Sequence, residues 1–273
     1  MRLYLLLSIA LSAFFLSQNP TQAQSLSNPS QPDSKALVKF LNLNLLYCDP
    51  LSSETKQQHS VRLNKLIAQL NTLKPDLAAF QEVANCRLSG SAGWIETAKI
   101  IAEQTGLNYS FWQSEEVRDI WKEGIAFFWN PKTVRFDNIQ CRHLGGAHYR
   151  GPMRIAKSLC QGDLHTDNGD VIRFYNTHLD VDAQYSLPQT REILGIIKQE
   201  SHAVDSVIWA GDFNNLENTD AIRIIKEAGL NELARDRVDF IFGWNVRRPT
   251  CARTLGFVEE GISDHNALWL ELR

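Results

Sequence analysis

The sequence predicts a layered domain of mixed α/β type, in which strands alternate with a few helices and lie next to one another late in the chain. Short apolar runs of strand length recur along the chain, as in LAAFQEV and VIWAGDFNN. Apolar residues at helical spacing fill only some of the intervals between these runs. Neither a repeat nor an internal linker divides the sequence, so we expect a single domain.

The first half of the domain is predicted to alternate between strands and helices. A helix with apolar residues at helical spacing should end before Pro75, and a second should end at Gly106. The apolar positions of the first helix are Leu63, Leu66, Ile67 and Leu70, and the second helix covers residues 94–104. Strands are predicted over residues 37–47, 77–83, 109–112 and 124–129.

The second half is predicted to be richer in strands. A helix over residues 190–198 should lead into a strand, VIWA, that is buried on both faces. Asn218 is a candidate N-cap for a short helix that ends at Gly229. The remaining strands are predicted over residues 155–159, 171–177, 238–242 and 267–271.

The composition excludes some modes of binding. The chain has 273 residues, of which 44% are hydrophobic, and its formal net charge is -3. These values are typical of a globular protein and indicate no broad cationic surface for phosphate backbones. Any contact with nucleic acid must therefore rest on a local site.

The N-terminus is predicted to be a signal peptide. Arg2 precedes an apolar stretch too short to span a bilayer comfortably, and Thr21 and Ala23 occupy the small-residue positions before a cleavage site. We expect a signal peptide over residues 1–23, a flexible leader over 24–35 and the domain over 36–273. The protein is therefore expected to be exported, with a retained membrane anchor as the alternative.

Five cysteines in an exported protein indicate disulfides, although spacing does not determine their pairing. We favour Cys48–Cys86, because each lies just beyond a predicted strand end, and Cys141–Cys160, which flank one excursion of the chain. This choice leaves Cys251 unpaired. No C-x-x-C pair occurs, so a structural zinc site is not expected.

Polar side chains recur where the predicted strands end. Each could be an ordinary turn or structural residue, and Gly, Asp and Asn are common in turns. In layered α/β folds, however, strand-end loops are where functional sites assemble. The residues concerned are Asn44, Glu82, His178, Asp212, Asn214, Asp239, Asp264 and His265.

These residue types indicate a particular chemistry. Carboxylate and amide oxygens are the ligands that Mg²⁺ or Mn²⁺ prefers. Histidines beside carboxylates supply oriented imidazoles for proton transfer or for stabilising a phosphate. The sequence contains neither a GxSxG motif, a Walker loop nor an HExxH motif. Metal-assisted hydrolysis of a phosphate ester fits the set best.

The ordered motifs NLN, QEV, NTHLD, GDFN, VDF and SDH resemble those of the endonuclease/exonuclease/phosphatase superfamily, typified by DNase I. The resemblance runs from about Lys39 to the C-terminus. It implies a four-layer sandwich, in which two packed mixed β-sheets are flanked by helices.

The resemblance also implies a metal site. Glu82 would be the principal ligand of Mg²⁺ or Mn²⁺, with Asn44 beside it and Asp264 in or near the metal shell. Asn42 is the alternative to Asn44 if the strand register differs by two residues.

Catalytic roles follow from the same resemblance. Asp212 would position or deprotonate the attacking water, and Asn214 would bind the phosphate or fix that aspartate. His265, paired with Asp239, would bind the scissile phosphate or act as an acid or base. Asn215 has no such support and is interpreted as an ordinary turn residue.

His178 would act on the leaving-group side, oriented by Glu123. Each of the two carboxylate–histidine pairs is expected to favour the protonated imidazole. A cation is also expected on the phosphate, with Arg154 as the first choice and Arg150 as the second.

The resulting hypothesis is an exported, divalent-metal-dependent nuclease of DNase I type, active as a monomer on nucleic acid, with no protein partner implied. The alternative is a phosphodiesterase or phosphatase acting on lipid head groups or small phosphoesters, as a sphingomyelinase does. That alternative favours an exposed aromatic hairpin, to which Trp112, Trp121 and Trp244 could belong. A non-catalytic binding module on the same fold is the third interpretation.

Overall fold

The structure is a computed structural model, which describes residues 38–46, 55–87, 93–117, 121–151 and 153–273. The predicted signal peptide and leader, and Cys48, lie outside the described residues. Residues Lys35–Arg273 group into one compact unit. Within the described residues, no helix combines the length and the apolar character needed to cross a membrane.

The described elements of the first half confirm the predicted alternation of strands and helices. They are β1 (Val38–Asn44), α1 (Lys56–Leu73), β2 (Leu77–Cys86), β3 (Ile95–Glu96), α2 (Thr97–Thr105), β4 (Asn108–Val117) and β5 (Trp121–Trp129). Helix α1 begins with a capping box, in which the Thr55 side chain and the Gln58 side chain satisfy each other's backbone N–H groups.

The second half contains ten strands and two α-helices among the described residues. The first five strands are β6 (Arg135–His143), β7 (His148–Arg150), β8 (Met153–Ile155), β9 (Ser158–His165) and β10 (Val171–His178). They are followed by α3 (Ala183–Glu200), a 3₁₀ turn (Ser201–Ala203), β11 (Ser206–Asp212), α4 (Asp220–Glu227), β12 (Asn231–Asp236), β13 (Asp239–Trp244), β14 (Cys251–Leu255) and β15 (Ala267–Leu272).

The strands form two mixed sheets. Sheet A has the order β14-β15-β1-β2-β5-β4-β8-β7, with β3 paired to β2, and sheet B has the order β12-β13-β11-β10-β9-β6. The pairs β1–β2 and β10–β11 are parallel, so the carboxyl ends of each pair lie at the same edge. The other described pairs are antiparallel.

Three apolar layers hold the sandwich together. Between the sheets, Phe40 and Phe127 of sheet A pack with Phe174, Ile208 and Ile241 of sheet B. The outer face of sheet A packs against α1 and α2, and the outer face of sheet B packs against α3 and α4. The order helix, sheet, sheet, helix confirms the predicted four-layer architecture.

Two predicted helix starts are wrong. Helix α3 begins at Ala183 with Asp182 as its N-cap, seven residues before the predicted start, and Pro188 lies inside the helix. Proline disfavours a helix interior, so the sequence before Thr190 is not typical of a helix. Helix α4 has Thr219 rather than Asn218 as its N-cap residue.

The strands that the sequence did not predict lie mainly at sheet edges. Strands β6, β7, β12 and β14 are edge strands of the two sheets. Most side chains of β6, β12 and β14 are exposed or half-buried, so the apolar pattern of these strands is weak and the sequence signal is lost. The predicted strand over 155–159 is wrong for a different reason, since it joins the end of β8 to the start of β9.

The predicted disulfide Cys141–Cys160 is confirmed. Its two residues are directly opposite in the β6–β9 pair, so the bond joins neighbouring strands. Cys86 is also disulfide-bonded, whereas its predicted partner lies outside the described residues. Cys251 is free.

Candidate active site

One end of sheet B carries a row of polar residues that crosses all six strands. Directly opposite residues of paired strands point to the same face of a sheet, so the register places these side chains side by side. In the order β6, β9, β10, β11, β13 and β12, the row consists of His143, Ser158, His178, Asp212, Asp239 and Asp236.

The row faces the space between the sheets. Side chains two or four residues apart on a strand share a face. His178 and Asp212 each follow an inter-sheet core residue, Phe174 or Ile208, by four positions. The apolar inter-sheet core is thus replaced by polar groups where the strands end.

Sheet A adds Asn44, from the end of β1, and Glu82, from β2. Glu82 has a φ of 51°, at an irregularity in the β2–β5 pairing between Phe80 and Val83. A left-handed backbone at a residue other than glycine costs about 1–3 kcal/mol and persists only where the surroundings enforce it. The bulge therefore sets the direction in which the Glu82 carboxylate points.

Asn44 connects the carboxylates of the two sheets. Its Nδ2 donates to Glu82 Oε1 at 2.9 Å and to Asp212 Oδ2 at 2.9 Å. Its Oδ1 accepts from the backbone N–H of Leu46 at 3.0 Å. In this orientation Asn44 is a bridge between carboxylates, and it would become an oxygen ligand of a metal ion only after its amide rotates.

A second polar bridge lies directly beneath the site, and no local pattern in the sequence predicts it. Gln81 Nε2 donates to Asn42 Oδ1 at 3.0 Å and to Asn176 Oδ1 at 2.7 Å. Asn176 Nδ2 donates to the carbonyls of Phe80 and Ala126. Asn42 therefore belongs to this bridge and not to the carboxylate cluster, so the alternative register is wrong.

Asp212 is held in a defined orientation. Its Oδ1 accepts from the backbone N–H of Asn214 at 2.8 Å, while Asn214 Nδ2 donates to the carbonyl of Leu179 at 2.9 Å. Asn214 thus fixes the aspartate through its backbone. Asn215 Nδ2 donates to the carbonyl of Phe213, a local contact within the turn.

The two predicted carboxylate–histidine pairs are both close in space. His265 Nδ1 lies 2.6 Å from Asp239 Oδ2, and Ser263 Oγ fixes the turn by accepting from the His265 backbone N–H. Burial alone would lower the pKa of His265, but the hydrogen bond and charge of Asp239 outweigh it and raise this pKa to about 9. His265 is therefore protonated at neutral pH.

His178 is in the opposite state. Its Nδ1 lies 3.5 Å from Glu123 Oε1, but Lys157 Nζ lies 3.3 Å from its Nε2. Burial and the charge of Lys157 lower the pKa of His178, against the opposing effect of Asp212 and Glu82. The expectation that Glu123 favours a protonated His178 is therefore wrong.

Glu123 itself is not a simple charged partner. Burial and the neighbouring Glu115 raise the pKa of its carboxyl well above the usual range. A protonated Glu123 can orient the imidazole by a hydrogen bond without stabilising a positive charge on it. The pair thus fixes geometry and leaves the imidazole neutral.

Lys157 is the cation of the site, and the sequence did not predict it. It is buried and forms an ion pair with Glu115, whose Oε1 lies 2.5 Å from Nζ. Burial opposes the charge, but Glu115 and Glu123 raise the pKa of Lys157. No contact joins the predicted cation, Arg154, to a histidine or carboxylate of the site among the described residues, and the Arg150 side chain lies outside them.

Two groups of side chains offer ligand atoms that lie within 4.8 Å of one another, and both include Asp212. The first consists of Glu82, His178 and Asp212, and the second of Asp212, Asp239 and His265. Asp264 belongs to neither group. It is exposed, and its carboxylate accepts from Ser263 Oγ at 3.5 Å.

The first group fits a divalent ion. Glu82 and Asp212 offer carboxylate oxygens, the ligands that Mg²⁺ prefers. Glu82 Oε1 and Asp212 Oδ2 both lie 2.9 Å from Asn44 Nδ2, so the two carboxylates converge on one place. Burial and the nearby Glu123 raise the pKa of Glu82 to about 7, so a cation here would offset the cost of ionising it.

Comparisons with known structures show the same fold. An endonuclease/exonuclease/phosphatase from Bacteroides vulgatus is 16% identical, with a TM-score of 0.70 over 88% of this chain and 99% of that one. The human Nocturnin catalytic domain with bound sulfate is 15% identical, with a TM-score of 0.65 over 87% of this chain and 94% of that one. A mannosyl-6-phosphatase of Bacteroides thetaiotaomicron is 15% identical, with a TM-score of 0.63 over 86% of this chain and 99% of that one.

Comparison of the sequence with family models identifies the same family, although individual curated sequences do not match. No curated protein sequence matches the chain. The model of the Endonuclease/Exonuclease/phosphatase family matches residues 41–265, which include the residues of both ligand groups. Members of this family are phosphoesterases and nucleases, so the fold is that of enzymes that hydrolyse phosphoester bonds. The chain belongs to the endonuclease/exonuclease/phosphatase family.

Proposed function

We propose that the protein is a divalent-metal-dependent phosphodiesterase whose substrate is nucleic acid. The observation that carries this proposal is the position of Asp212, which is shared by both ligand groups. Asp212 lies between a protonated histidine and a neutral one, with Oδ2 4.0 Å from His265 Nε2 and 3.8 Å from His178 Nε2.

Mg²⁺ or Mn²⁺ is the proposed cofactor, held by Glu82 and Asp212 with Asn44 beside them. Such an ion, when bound, would offset negative charge that develops on the phosphate oxygens. Hard carboxylate oxygens support this choice of ion.

Asp212 is the group proposed to orient the attacking water and to accept its proton. The hydrogen bonds from Asn44 and from the Asn214 backbone keep the carboxylate in one orientation. His265, charged because of Asp239, would donate from Nε2 to a phosphate oxygen. As the water oxygen bonds to phosphorus, the bond to the leaving oxygen breaks on the far side.

His178 and Lys157 are proposed to act on the leaving-group side. A neutral imidazole keeps one N–H group, which can donate a hydrogen bond to the leaving oxygen. Lys157 provides the positive charge on this side, because its pKa is raised. Glu123 fixes the ring.

A substrate panel tests the proposal. Purified protein would be incubated with plasmid DNA, RNA, sphingomyelin and bis-p-nitrophenyl phosphate, each with Mg²⁺ and each with EDTA. We expect metal-dependent cleavage of DNA or RNA, and restoration by Mg²⁺ or Mn²⁺ after chelation. Activity that survives exhaustive chelation would remove the metal from the mechanism, and cleavage of none of the substrates would favour a binding module.

The lipid alternative has less support. Trp121 is buried, Trp112 packs in the inter-sheet core, and Trp244 lies on the other sheet, so they do not share an exposed hairpin.

A small phosphoester is favoured by the negative net charge and by the similarity to a mannosyl-6-phosphatase. Cleavage of bis-p-nitrophenyl phosphate but of no nucleic acid would indicate a small phosphodiester as the substrate, and cleavage of p-nitrophenyl phosphate alone would indicate a phosphomonoester.

We also propose that the protein acts outside the reducing cytosol. The Cys141–Cys160 disulfide supports this, since such bonds persist mainly in oxidising compartments. Fractionation of the cells that express the full chain, with immunodetection, should find a shortened protein outside the cytosol. Recovery of the full-length chain in the cytosol would contradict it.

A further inference from the structure

The β7–β8 hairpin and the turn after β10 each place one side chain beside the other. His148 is the first residue of β7, and Asp180 follows His178, the last residue of β10, by two positions. His148 Nε2 lies 3.8 Å from Asp180 Oδ2. Hydrogen bonds between nitrogen and oxygen are at most about 3.2 Å long, so these two atoms are neighbours without a direct bond.

The tautomer of His148 follows from the contact of its other ring nitrogen. His148 Nδ1 lies 3.0 Å from the carbonyl oxygen of Gly146. A carbonyl oxygen only accepts hydrogen bonds, so Nδ1 carries a hydrogen and Nε2 of the neutral ring carries a lone pair. The ring stacks on Tyr185, with centroids 4.2 Å apart and an interplanar angle of 8°. This packing keeps the lone pair of Nε2 directed at Asp180.

Asp180 has one carboxylate oxygen in use and one without a partner. Its Oδ1 accepts from the backbone N–H of Asp182 at 2.9 Å, and its own backbone N–H donates to Gln189 Oε1 at 3.0 Å. The residue is only 1% exposed, and among the described residues its Oδ2 has no hydrogen-bond partner. A buried carboxylate oxygen of this kind is unfavourable unless a proton or a cation reaches it.

The charge around Asp180 is negative. Gln189, which contacts Asp180, also donates from Nε2 to the carbonyl of Gly145 at 3.2 Å, and the Gly145 backbone N–H donates to Glu192 Oε2 at 2.9 Å. Within the described ranges, lysine and arginine side chains form no ion pair with Asp180, Asp182 or Glu192. A cation placed between His148 and Asp180 would therefore be stabilised by its surroundings.

We propose that His148 and Asp180 bind a zinc ion, with water completing its coordination. Imidazole nitrogen and carboxylate oxygen are both ligands of Zn²⁺, whereas Mg²⁺ takes oxygen ligands. A histidine that binds a metal usually donates its other N–H to a carboxylate or carbonyl, as His148 does to Gly146. Adjacent ligand atoms of a tetrahedral zinc site lie about 3.4 Å apart, so Nε2 and Oδ2 need to approach by only a few tenths of an ångström.

The zinc site is separate from the catalytic centre. It shares no residue with either group of candidate ligands around Asp212. It uses no cysteine, so the missing C-x-x-C motif does not argue against it. A bound ion would link the hairpin to the turn after β10, two residues from His178, and its role would be to fix this hairpin rather than to hydrolyse phosphoesters.

Isothermal titration calorimetry with Zn²⁺ tests the proposal on the purified protein, in the presence of excess Mg²⁺. We expect the wild type to bind one zinc ion here, and its Kd should rise by at least about 10-fold in His148→Ala and in Asp180→Asn. Zn²⁺ should also raise the Tm of the wild type more than that of either variant, because an ion that binds only the folded state stabilises it. His148→Ala changes a half-buried side chain and keeps the test valid if Asp180→Asn does not fold.

His202→Ala is the matched control. His202 is exposed, on the 3₁₀ turn at the opposite end of α3 from Asp180, and its loss should leave zinc binding as in the wild type. Asp212→Asn is the second control, since it removes the ligand that both catalytic groups share. This variant should still bind zinc at His148.

Three results would overturn the site. Zinc binding that is lost in Asp212→Asn but kept in His148→Ala would place the ion at the catalytic centre. A wild type without saturable zinc binding would mean that His148 and Asp180 bind no such ion. A lower Tm of His148→Ala with an unchanged zinc affinity would make the pair a packing contact only. None of these results bears on the proposed phosphodiesterase function, which the substrate panel tests separately.

Discussion

His265 and His178 lie on two sides of the same carboxylate, but their pKa values are shifted in opposite directions. Their Nε2 atoms are 4.0 Å and 3.8 Å from Asp212 Oδ2. Asp239 raises the pKa of His265 to about 9, whereas burial and Lys157 lower that of His178. The difference shows that burial and the second neighbour of each histidine, and not the shared aspartate, set its protonation state.

The surroundings of the two histidines also differ in the strands that provide their neighbouring side chains. The His265 side uses one carboxylate from β13 and a short turn before β15. The His178 side uses Glu123 from β5, Glu115 from β4 and Lys157, which directly precedes β9, so it combines both sheets. The His178 side should therefore be more sensitive to changes in packing.

Lys157→Met should have the largest effect on the difference between the two histidines. It leaves Glu115 and Glu123 buried without their cation, so the free energy of unfolding should fall by about 3–5 kcal/mol. The pKa of His178 should rise, because the charge that lowers it is gone. Urea unfolding and NMR titration of the imidazole measure the two effects. In the control Lys132→Met, at an exposed position, the free energy of unfolding and the pKa of His178 should stay as in the wild type. A similarly small loss of stability in Lys157→Met would contradict the role of Lys157 as the buried cation of the site.

Asp212→Asn would remove the group that the two histidines share. We expect kcat to fall by at least ~10²-fold, because an amide cannot accept the proton of the attacking water. Asp220→Asn, on the exposed surface of α4, should leave kcat unchanged. Full activity of Asp212→Asn in a steady-state assay on the best substrate of the panel would refute its role.

His178→Ala and His265→Ala measure the catalytic contribution of each histidine separately. Each should reduce kcat by about 10²-fold or more, the scale of general acid–base and hydrogen-bonding contributions. The same steady-state assay measures the losses, and circular dichroism checks the fold. If one variant kept full activity, the side on which it lies would have no catalytic role.

Asp239→Asn should make His265 behave more like an ordinary histidine. Without the carboxylate, its pKa should fall from about 9 toward the usual value of about 6.5. His265 would then lose its proton across the neutral range, and the alkaline limb of the kcat/KM profile should move to lower pH. NMR titration gives the midpoint directly; a midpoint that stays near 9 would assign the shift to another group.

Asn176→Ala should have the smallest effect, a loss of stability that does not distinguish the His178 side of the site from the His265 side. It leaves Gln81 Nε2 with one acceptor fewer and deprives the Phe80 and Ala126 carbonyls of a donor. Such unsatisfied buried groups cost about 1–3 kcal/mol of unfolding free energy. Asn71→Ala, on the exposed face of α1, is the control for urea unfolding. Equal stability of the two variants would argue against the bridge.

Local signals predicted the alternation of strands and helices and the polar residues at the strand ends, whereas the four layers and the carboxylate–histidine pairs followed from the family resemblance. An apolar run ending in a polar residue identifies a buried strand and its terminus, as with Asp212 after VIWA. Asp239 and His265 are 26 residues apart, so their contact followed from the family resemblance alone.

Lys157 was missed for a physical reason. Reading residues 155–159 as one strand placed the lysine in a strand interior, whereas it precedes the first residue of β9 at the site. Its burial depends on Glu115, which lies 42 positions earlier on another sheet and leaves no local pattern. The protonation states of the two histidines depend on such distant charges, so the sequence predicted only one of them correctly.

The Cys141–Cys160 bond has a consequence for how the protein responds to proteases. It closes a ring of residues 141–160, which contains the β7–β8 hairpin, and Tyr149 in this hairpin is 74% exposed. A single cut after Tyr149 would leave the two fragments covalently joined, and they would separate on a gel only after reduction. Nicked protein should therefore keep β6 and β9 in register and the polar row of sheet B intact, while the β7–β8 hairpin is no longer continuous.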